Sequence, residues 1–377
     1  SDVVGSMLRA MRHRGPDAEA IHQTDAIVLG HTRLSINDLS VHGRQPFVSE
    51  NGSVAVAVNG EIYNYLDLKR ELEAKGYRFR STSDSEVVLH AYQEHGTAFI
   101  ERLNGMFAFA IWDQGQRTLH LVRDRLGIKQ IYFAQTATSF LFASEIKALA
   151  CDRSVELSLD LQAFAEYLAY ENYFSDRTLS KQIRMVQPGE IVTFSAASLT
   201  LTRRSFWRPE FSRSPSAGDD LGSRYLAALE ASVERHLLSD VPLGTYLSAG
   251  IDSSSVTYWA SRQLGAIDTF SGSFGISGFY DEATDAARVA VAFGCRNTRV
   301  NITPKDFMDH FERIVWHLDE PRVGMGSFSQ YLVARQAARS VKVILTGHGG
   351  DELFAGYPVF KAIYGKGRPA AFLLRSS

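Results

Sequence analysis

In the first half of the chain, apolar positions fall mostly in short alternating runs. In the second half, short apolar runs alternate with segments of helical spacing. Residues 26–36 and 54–58 are predicted as strands, with Val54, Val56 and Val58 marking the alternation of inward and outward positions. Residues 66–75 and 86–95 carry helical spacing, and Ser83 or Asp84 is the expected cap of the second helix. Residues 107–113 and 118–123 predict a hairpin across Gln114-Gly115-Gln116, and 130–134 with 139–143 a second one. Strands on both sides of a helical pair, with few βαβ units, predict stacked antiparallel sheets in an α+β layered domain. Between 206 and 220, Trp207-Arg208-Pro209 and Ser212-Arg213-Ser214-Pro215-Ser216-Ala217-Gly218 break the periodicity and read as a linker. Beyond it, helices at 221–239, 253–264, 282–293, 307–315 and 327–340 alternate with strands at 243–247, 269–274, 298–302 and 342–345. That order predicts an α/β doubly wound parallel sheet. The expected organisation is 1–205, a linker at 206–220, and 221–377.

Composition adds mainly exclusions. A hydrophobic share of 45% and a charged share of 22% describe an ordinary globular chain, with no low-complexity tract or internal repeat. A formal net charge of −2 argues against a phosphate-tracking surface, so no nucleic acid is expected as partner. The longest apolar run, Met106 to Trp112, is seven residues, so no membrane span is expected. No charged-then-apolar leader is visible, and Cys151 and Cys295 suggest neither a disulfide framework nor a metal-ligand spacing. A cytoplasmic location is the expectation.

Two loops carry candidate chemistry. The strand ending at Leu247 runs through Ser248-Ala249-Gly250-Ile251-Asp252-Ser253 into a helix. Unpaired N–H groups and the helix dipole attract phosphate at such a terminus. Ser248 and Ser253 add hydroxyls, Gly250 lets the backbone approach, and Asp252 can reach a magnesium ion. No Gly-Lys-Ser/Thr follows, so this is not a Walker loop, and on its own an ordinary βα turn is an equally good reading. The strand at 342–345 leads into Thr346-Gly347-His348-Gly349-Gly350-Asp351-Glu352, a second glycine-rich edge for the same crevice. Asp351 is a candidate to share a metal with Asp252, and Glu352 reads as a helix cap or supporting residue. No G-x-S-x-G elbow and no H-E-x-x-H motif occurs, which sets aside serine-hydrolase and zinc-hydrolase chemistry.

The first loop resembles the SGGxDS pyrophosphate motif of ATP pyrophosphatases, and Thr346 to Tyr357 resembles its counterpart in asparagine synthetases. Trp316-His317-Leu318-Asp319-Glu320-Pro321 is similar to that family as well. So are Arg12-His13-Arg14-Gly15-Pro16-Asp17, Arg33-Leu34-Ser35-Ile36, Asn59-Gly60-Glu61-Ile62-Tyr63-Asn64 and Ser83-Asp84-Ser85-Glu86. Arg102 to Phe109 and Arg123 to Lys129 continue the colinear set. The resemblance implies a class II, N-terminal-nucleophile glutaminase of αββα type, followed by an AMP-forming synthetase using ATP and Mg2+. Its substrates would be glutamine and a carboxylate acceptor, aspartate first, with ammonia passed from one half to the other. It implies that Arg33 takes the glutamine carboxylate, Asp84 its ammonium group, Glu61 a further glutamine contact, and Asn59 with Gly60 the oxyanion hole. Leu247, Ser248, Gly250, Asp252, Ser253, Gly272, Thr346 and Gly347 are the implied ATP and pyrophosphate contacts, Asp252 and Asp351 the metal ligands, and His348 a catalytic candidate. A homodimer is left open.

Departures from the family pattern set further expectations. The family's nucleophile is an N-terminal cysteine, whereas this sequence begins Ser1-Asp2-Val3-Val4, which reads as a start inside the domain with the opening strand not included. A relative such as β-lactam synthetase, with only its ATP half active, is the alternative, and a silent scaffold a more distant one. Ala249 replaces a glycine, tolerable where φ is negative. His348 stands where the family often has an acid, and 322–328 differs beside the expected acceptor site.

Overall fold

The computed structural model describes residues 2–210, 220–276, 281–321, 326–357 and 360. The chain divides into two compact units, Ser1–Asp219 with Glu312–Gly324, and Asp220–Phe311 with Met325–Ser377. Residues 211–219, within the expected linker, and Arg322-Val323-Gly324-Met325 lie outside the described residues.

The first unit runs α1 (Asp2–Met11), β1 (Ala18–Gln23), β2 (Val28–Arg33), β3 (Phe47–Val48), β4 (Val54–Ile62), α2 (Tyr65–Ala74) and α3 (Glu86–His95). It continues β5 (Gly105–Asp113), β6 (Thr118–Arg123), β7 (Tyr132–Gln135), β8 (Phe140–Ala143), α4 (Ile146–Leu149) and α5 (Leu161–Tyr170). Strands β9 (Ile183–Met185), β10 (Glu190–Ser195) and β11 (Thr200–Ser205) complete it. A six-stranded antiparallel sheet has the order β11-β10-β6-β5-β4-β3, and smaller sheets pair β8-β7-β9 and β1-β2.

The layering follows from residue size. Val54, Val56, Val58 and Ile62 of β4, with Phe107, Phe109 and Ile111 of β5, pack on Leu68 and Leu72 of α2 and Val87 and Val88 of α3. The intervening Ala55, Ala108 and Ala110 turn the other way and meet Leu29 of β2, Phe133 of β7 and Ile131 just before β7. The alternation along β4 therefore separates two buried faces, not core from solvent, and small residues let the second sheet approach. Tyr132 and Ala134 in turn pack on Met7, Ala148 and Leu149, so α1 and α4 form the outer layer. The result is the expected αββα arrangement. The cap of α3 differs from expectation: Ser85 is at the N-cap without a side-chain bond, while the Asp84 carboxylate accepts the Ile62 N–H at 2.7 Å.

Two motifs turn out to be structural. The Asp124 carboxylate accepts the N–H groups of Phe107 (3.2 Å), Leu126, Ile128 and Lys129 (3.0 Å each), and Arg123 donates to the carbonyls of Gly127, Lys129 and Val186. These bonds fold 123–129 into a pinned loop. The stretch Trp316 to Pro321 belongs to the first unit although it follows most of the second in sequence. Tyr132 donates to Glu320 at 2.8 Å, and Asp319 pairs with Lys147 Nζ at 3.0 Å and accepts backbone N–H groups of Ile146 and Lys147. Lys147 also lies 4.6 Å from the Trp316 ring centre. Beside it the buried Glu145 binds His13 (3.0 Å), Arg14 (3.1 Å) and Lys147 (2.7 Å). Burial works to raise the Glu145 pKa, but these partners hold it below its ordinary value.

The second unit contains α6 (Leu221–His236), β12 (Leu243–Tyr246), α7 (Ile251–Leu264), β13 (Asp268–Ser273), α8 (Ala283–Ala292), β14 (Arg296–Asn301) and most of α9 (Pro304–Leu318). Helix α10 (Gly326–Ala337), β15 (Val343–Leu345) and α11 (Gly350–Phe354) follow. The four strands are parallel in the order β14-β13-β12-β15. Val233 of α6 and Ala260 of α7 share a core with Leu345, while Leu247 packs on Ala286 and Ala290 of α8. The chain leaves β12 in one direction for β13 and β14, then returns to β15 on the other side. β12 and β15 therefore flank a topological switch point, where the loops at the strands' carboxyl ends diverge and leave a crevice. Among the described residues no helix is long and apolar enough to cross a membrane.

Candidate functional site

Both glycine loops of the second unit lie at that switch point. Leu247 is buried and its N–H donates to Phe270 O at 3.0 Å, extending the sheet by one bond. Ser271 Oγ donates to Leu247 O at 2.6 Å. The chain then turns on hydroxyls: Ser248 and Ser253 Oγ atoms are 3.0 Å apart, Ser253 Oγ accepts the Ser248 N–H at 3.2 Å, and Ser248 Oγ accepts the Gly250 N–H at 3.3 Å. Gly250 caps α7.

The left-handed residue of this turn is Ala249, at φ +66°, and the expectation of a negative φ there is overturned. An alanine in that region costs about 1–2 kcal/mol, partly offset because its methyl packs against the Leu247, Ala286 and Ala290 cluster. Gly250, at φ −64°, needs no special backbone freedom.

The second loop fits closely over the first. A Cβ on Gly347 would lie 2.7 Å from Ser253 N, and one on Gly350 2.3 Å from the Asp252 carboxyl carbon. A side chain at 347 would press on the backbone of the first loop, whereas one at 350 would displace the Asp252 carboxylate. Burial raises the Asp252 pKa, and the charges of Asp351 and Glu352 raise it further. Gly349 holds the N-cap position of α11, and Glu352 caps the helix from its third residue: its carboxylate accepts the Gly349 N–H as well as the Tyr357 hydroxyl at 2.7 Å. A cavity of about 1170 Å³ opens here, lined by Ser248, Asp252, Gly272, Thr346, His348 and Asp351 among others. His348 is exposed to it and lies 2.9 Å from Gln330, a residue the motifs did not single out. Among the described residues no group of three or more His, Cys, Asp or Glu is arranged to hold a metal alone. Two crowded carboxylates facing a phosphate-sized turn do suit magnesium, which takes one or two carboxylates and completes its shell with phosphate and water.

In the first unit, Arg33, Glu61 and Asp84 interact electrostatically with one another through Asp84. Arg33 is buried at the end of β2, and its guanidinium donates to the carbonyls of Ser40 (3.0 Å), Asn37 (3.2 Å) and Asp38. Much of its donor fork is thus spent folding the 37–40 loop. A Cβ on Gly43 would meet Arg33 Nη2 at 2.2 Å, so that glycine makes room for the guanidinium. Burial, and then the neighbouring Asp84, push Glu61 up to about 8. Burial also raises Asp84 to about 6. Asn37 Nδ2 donates to Glu61 at 2.7 Å; no spacing rule had marked it. A buried and a partly buried acid that both resist ionisation form a natural seat for an ammonium group.

Asn59 lines a separate cavity of about 520 Å³ between the sheets, to which Arg33, Glu61 and Asp84 do not contribute. Its buried Nδ2 makes no hydrogen bond among the described residues, and neither does the buried Nδ1 of His31, on the same cavity. Burial lowers His31 to about 4, so its imidazole is neutral and donates through Nε2 to Val58 O at 3.1 Å. Gly60 has φ +150°, and a Cβ there would lie 2.1 Å from Met106 O, so the close strand contact requires glycine. An unpaired amide beside this glycine is a donor arrangement suited to a developing oxyanion.

Comparison with known proteins agrees with this architecture. Residues 1–207 match the glutamine amidotransferase domain family and residues 224–374 the asparagine synthase family. The chain is 35% identical over 360 residues to asparagine synthetase [glutamine-hydrolyzing] 1 of Bacillus subtilis, covering 96% of this chain and 56% of that protein. It is 32% identical over 371 residues to asparagine synthetase [glutamine-hydrolyzing] 3 of the same organism, covering 94% and 60%. It is also 32% identical over 381 residues to amidase chyE of Penicillium rubens, covering 96% and 56%. The chain belongs to the glutamine amidotransferase domain family, and its second half carries the asparagine synthase match. It spans 56–60% of the length of these relatives.

Proposed function

We propose that the protein amidates a carboxylate at the expense of ATP, taking its nitrogen from glutamine, with aspartate as the first acceptor to test. The observation that carries this reading is the pair of interlocked loops at the β12/β15 switch point, where Gly347 seats against the backbone of Asp252 and Ser253. Leu247, Ser248, Gly250 and Ser253 are assigned the pyrophosphate portion of ATP, with Thr346 and Gly347 on the opposite edge and Gly272 on the cavity wall. Asp252 and Asp351 would hold magnesium, which supplies positive charge to the departing pyrophosphate. The acceptor carboxylate displaces pyrophosphate from the α-phosphorus. Ammonia then adds to the acyl carbon, AMP leaves with the C–O bond electrons, and the nitrogen loses a proton. His348, exposed to the cavity, is the side chain assigned to the acceptor.

In the first unit, Asp84 with Glu61 is assigned the glutamine ammonium group and Arg33 its carboxylate. Asn59 Nδ2 and the Gly60 N–H are assigned the oxyanion. Cys151 packs near the outer helical layer and Cys295 in the second unit, so neither is offered as the glutaminase nucleophile.

The fit of Gly347 gives a direct test. Gly347→Ala should weaken ATP binding, read by calorimetry, by about tenfold to a hundredfold, because its methyl meets backbone and not a movable side chain. Wild-type affinity would remove ATP from this crevice.

The acceptor is the more open element, since relatives of similar identity are named both asparagine synthetase and amidase. A tailoring ligase acting on another carboxylate is therefore the second reading. AMP release over a panel of amino-acid, sugar-acid and peptide carboxylates should show a response with aspartate. Silence with aspartate and turnover with another member would move the protein to the second reading.

A further inference from the structure

Helix α10 brings Gln330 to the wall of the nucleotide cavity, opposite the loop that carries His348. Gln330 Nε2 and His348 Nε2 are 2.9 Å apart. An amide nitrogen only donates, so the imidazole nitrogen facing it has to accept. An imidazolium carries N–H on both nitrogens and cannot accept, and a neutral ring accepts at Nε2 only when its proton is on Nδ1. Among the described residues, the His348 backbone N–H also lies 3.5 Å from Thr346 Oγ1. That contact leaves the ring free to respond to Gln330. Asp252 and Asp351 line the same cavity, and Glu352 interacts electrostatically with His348.

We propose that Gln330 is a positioning residue that holds His348 as a neutral imidazole with its proton on Nδ1. This rests on the carboxylate-activating reading given above. The ring then offers one neutral donor in a cavity already crowded with acids. It can hydrogen-bond an acceptor carboxylate without making an ion pair that must be broken when that carboxylate is adenylated. A cationic side chain would bind the free carboxylate more tightly than the uncharged acyl group that replaces it, and tighter ground-state binding does not speed the step.

The test uses the full chain labelled with 15N-histidine. Long-range 1H–15N spectra in alkaline buffer, with the His348 signals identified by their loss in His348→Asn, should show Nε2 unprotonated and Nδ1 protonated. Gln330→Leu should shift those signals towards the opposite tautomer. In AMP release with ATP, ammonium and L-aspartate, Gln330→Leu should lower kcat about fivefold to tenfold, with KM for ATP unchanged. In the His348→Asn background the same change should cost nothing further, because the two residues act as one unit. A protonated Nε2 in the wild-type spectrum, or losses that simply add, would overturn the proposal. If no carboxylate gives AMP, the functional reading fails instead, and the spectra alone decide the tautomer.

Discussion

Asp252→Asn should reduce ATP–pyrophosphate exchange by at least about a hundredfold while leaving the fold intact. The magnitude is that of removing one preorganised electrostatic group from a reacting phosphate site, typically 100-fold to 1,000-fold in rate. The fold should survive because the asparagine is nearly isosteric over Gly350, where there is no space for anything larger. Removing the charge also relieves repulsion: burial and the nearby Asp351 and Glu352 disfavour ionised Asp252 in the folded protein. A carboxyl with a raised folded pKa withdraws stability as pH rises, so the variant should melt no lower than wild type at neutral pH. Exchange at the wild-type rate would mean that the acids at this switch point are structural.

The second large effect is expected at Glu61 and Asp84. Burial raises both carboxyls, Glu61 to about 8 and Asp84 to about 6. A raised folded pKa means that the folded state binds the proton more tightly than the unfolded chain. Its stabilising effect is therefore complete below the ordinary carboxyl range and is lost as pH rises through the folded values. Without ligand, the wild-type protein should lose on the order of a few kcal/mol between about pH 4.5 and 8 that Glu61→Gln does not lose. Lys129, whose own pKa burial lowers, moderates this loss by its charge near Glu61. L-Glutamine should restore stability most at the alkaline end, where both carboxylates would face its ammonium group. Asp84→Asn should weaken its binding about tenfold to a hundredfold. Thermal melts of wild type and Glu61→Gln that run parallel across this range would show that the pair is not under charge strain.

Most helices and strands of the second unit were legible because they are short, packed on at least one face, and separated by loops that interrupt the period. Helix α3 was legible at 86–95 for the same reason. Helix α11 was not, since none of its five residues is buried. Strand β11 was not, because its residues are almost all polar and exposed, and an edge strand carries little hydrophobic signal. Helix α5 leaves Leu161, Phe164 and Leu168 exposed, so its apolar residues do not mark a core stripe, although Asp160 caps it through the N–H groups of Gln162 and Ala163. At the site, the motifs brought out Asp252, Asp351, Glu61 and Asp84, but backbone angles and partners lay beyond them. The sequence could not say that Ala249 would take the left-handed turn, nor that Arg33 would spend its donors on three carbonyls. Gln330 was invisible because its role depends on a partner 18 residues away across a strand.

The return of residues 312–324 to the first unit also bears on how such proteins can be recombined. A single crossover in the region of 211–219 would look like a clean exchange of halves between relatives, yet it would import a foreign partner for Lys147 and Tyr132. The donor sequence would have to present an acid to each of them, as Asp319 and Glu320 do here. Successful chimeras should therefore either use a second crossover that keeps the native 312–324 segment or come from parents that share both acids. The natural breakpoint of this protein is a pair of positions, not one.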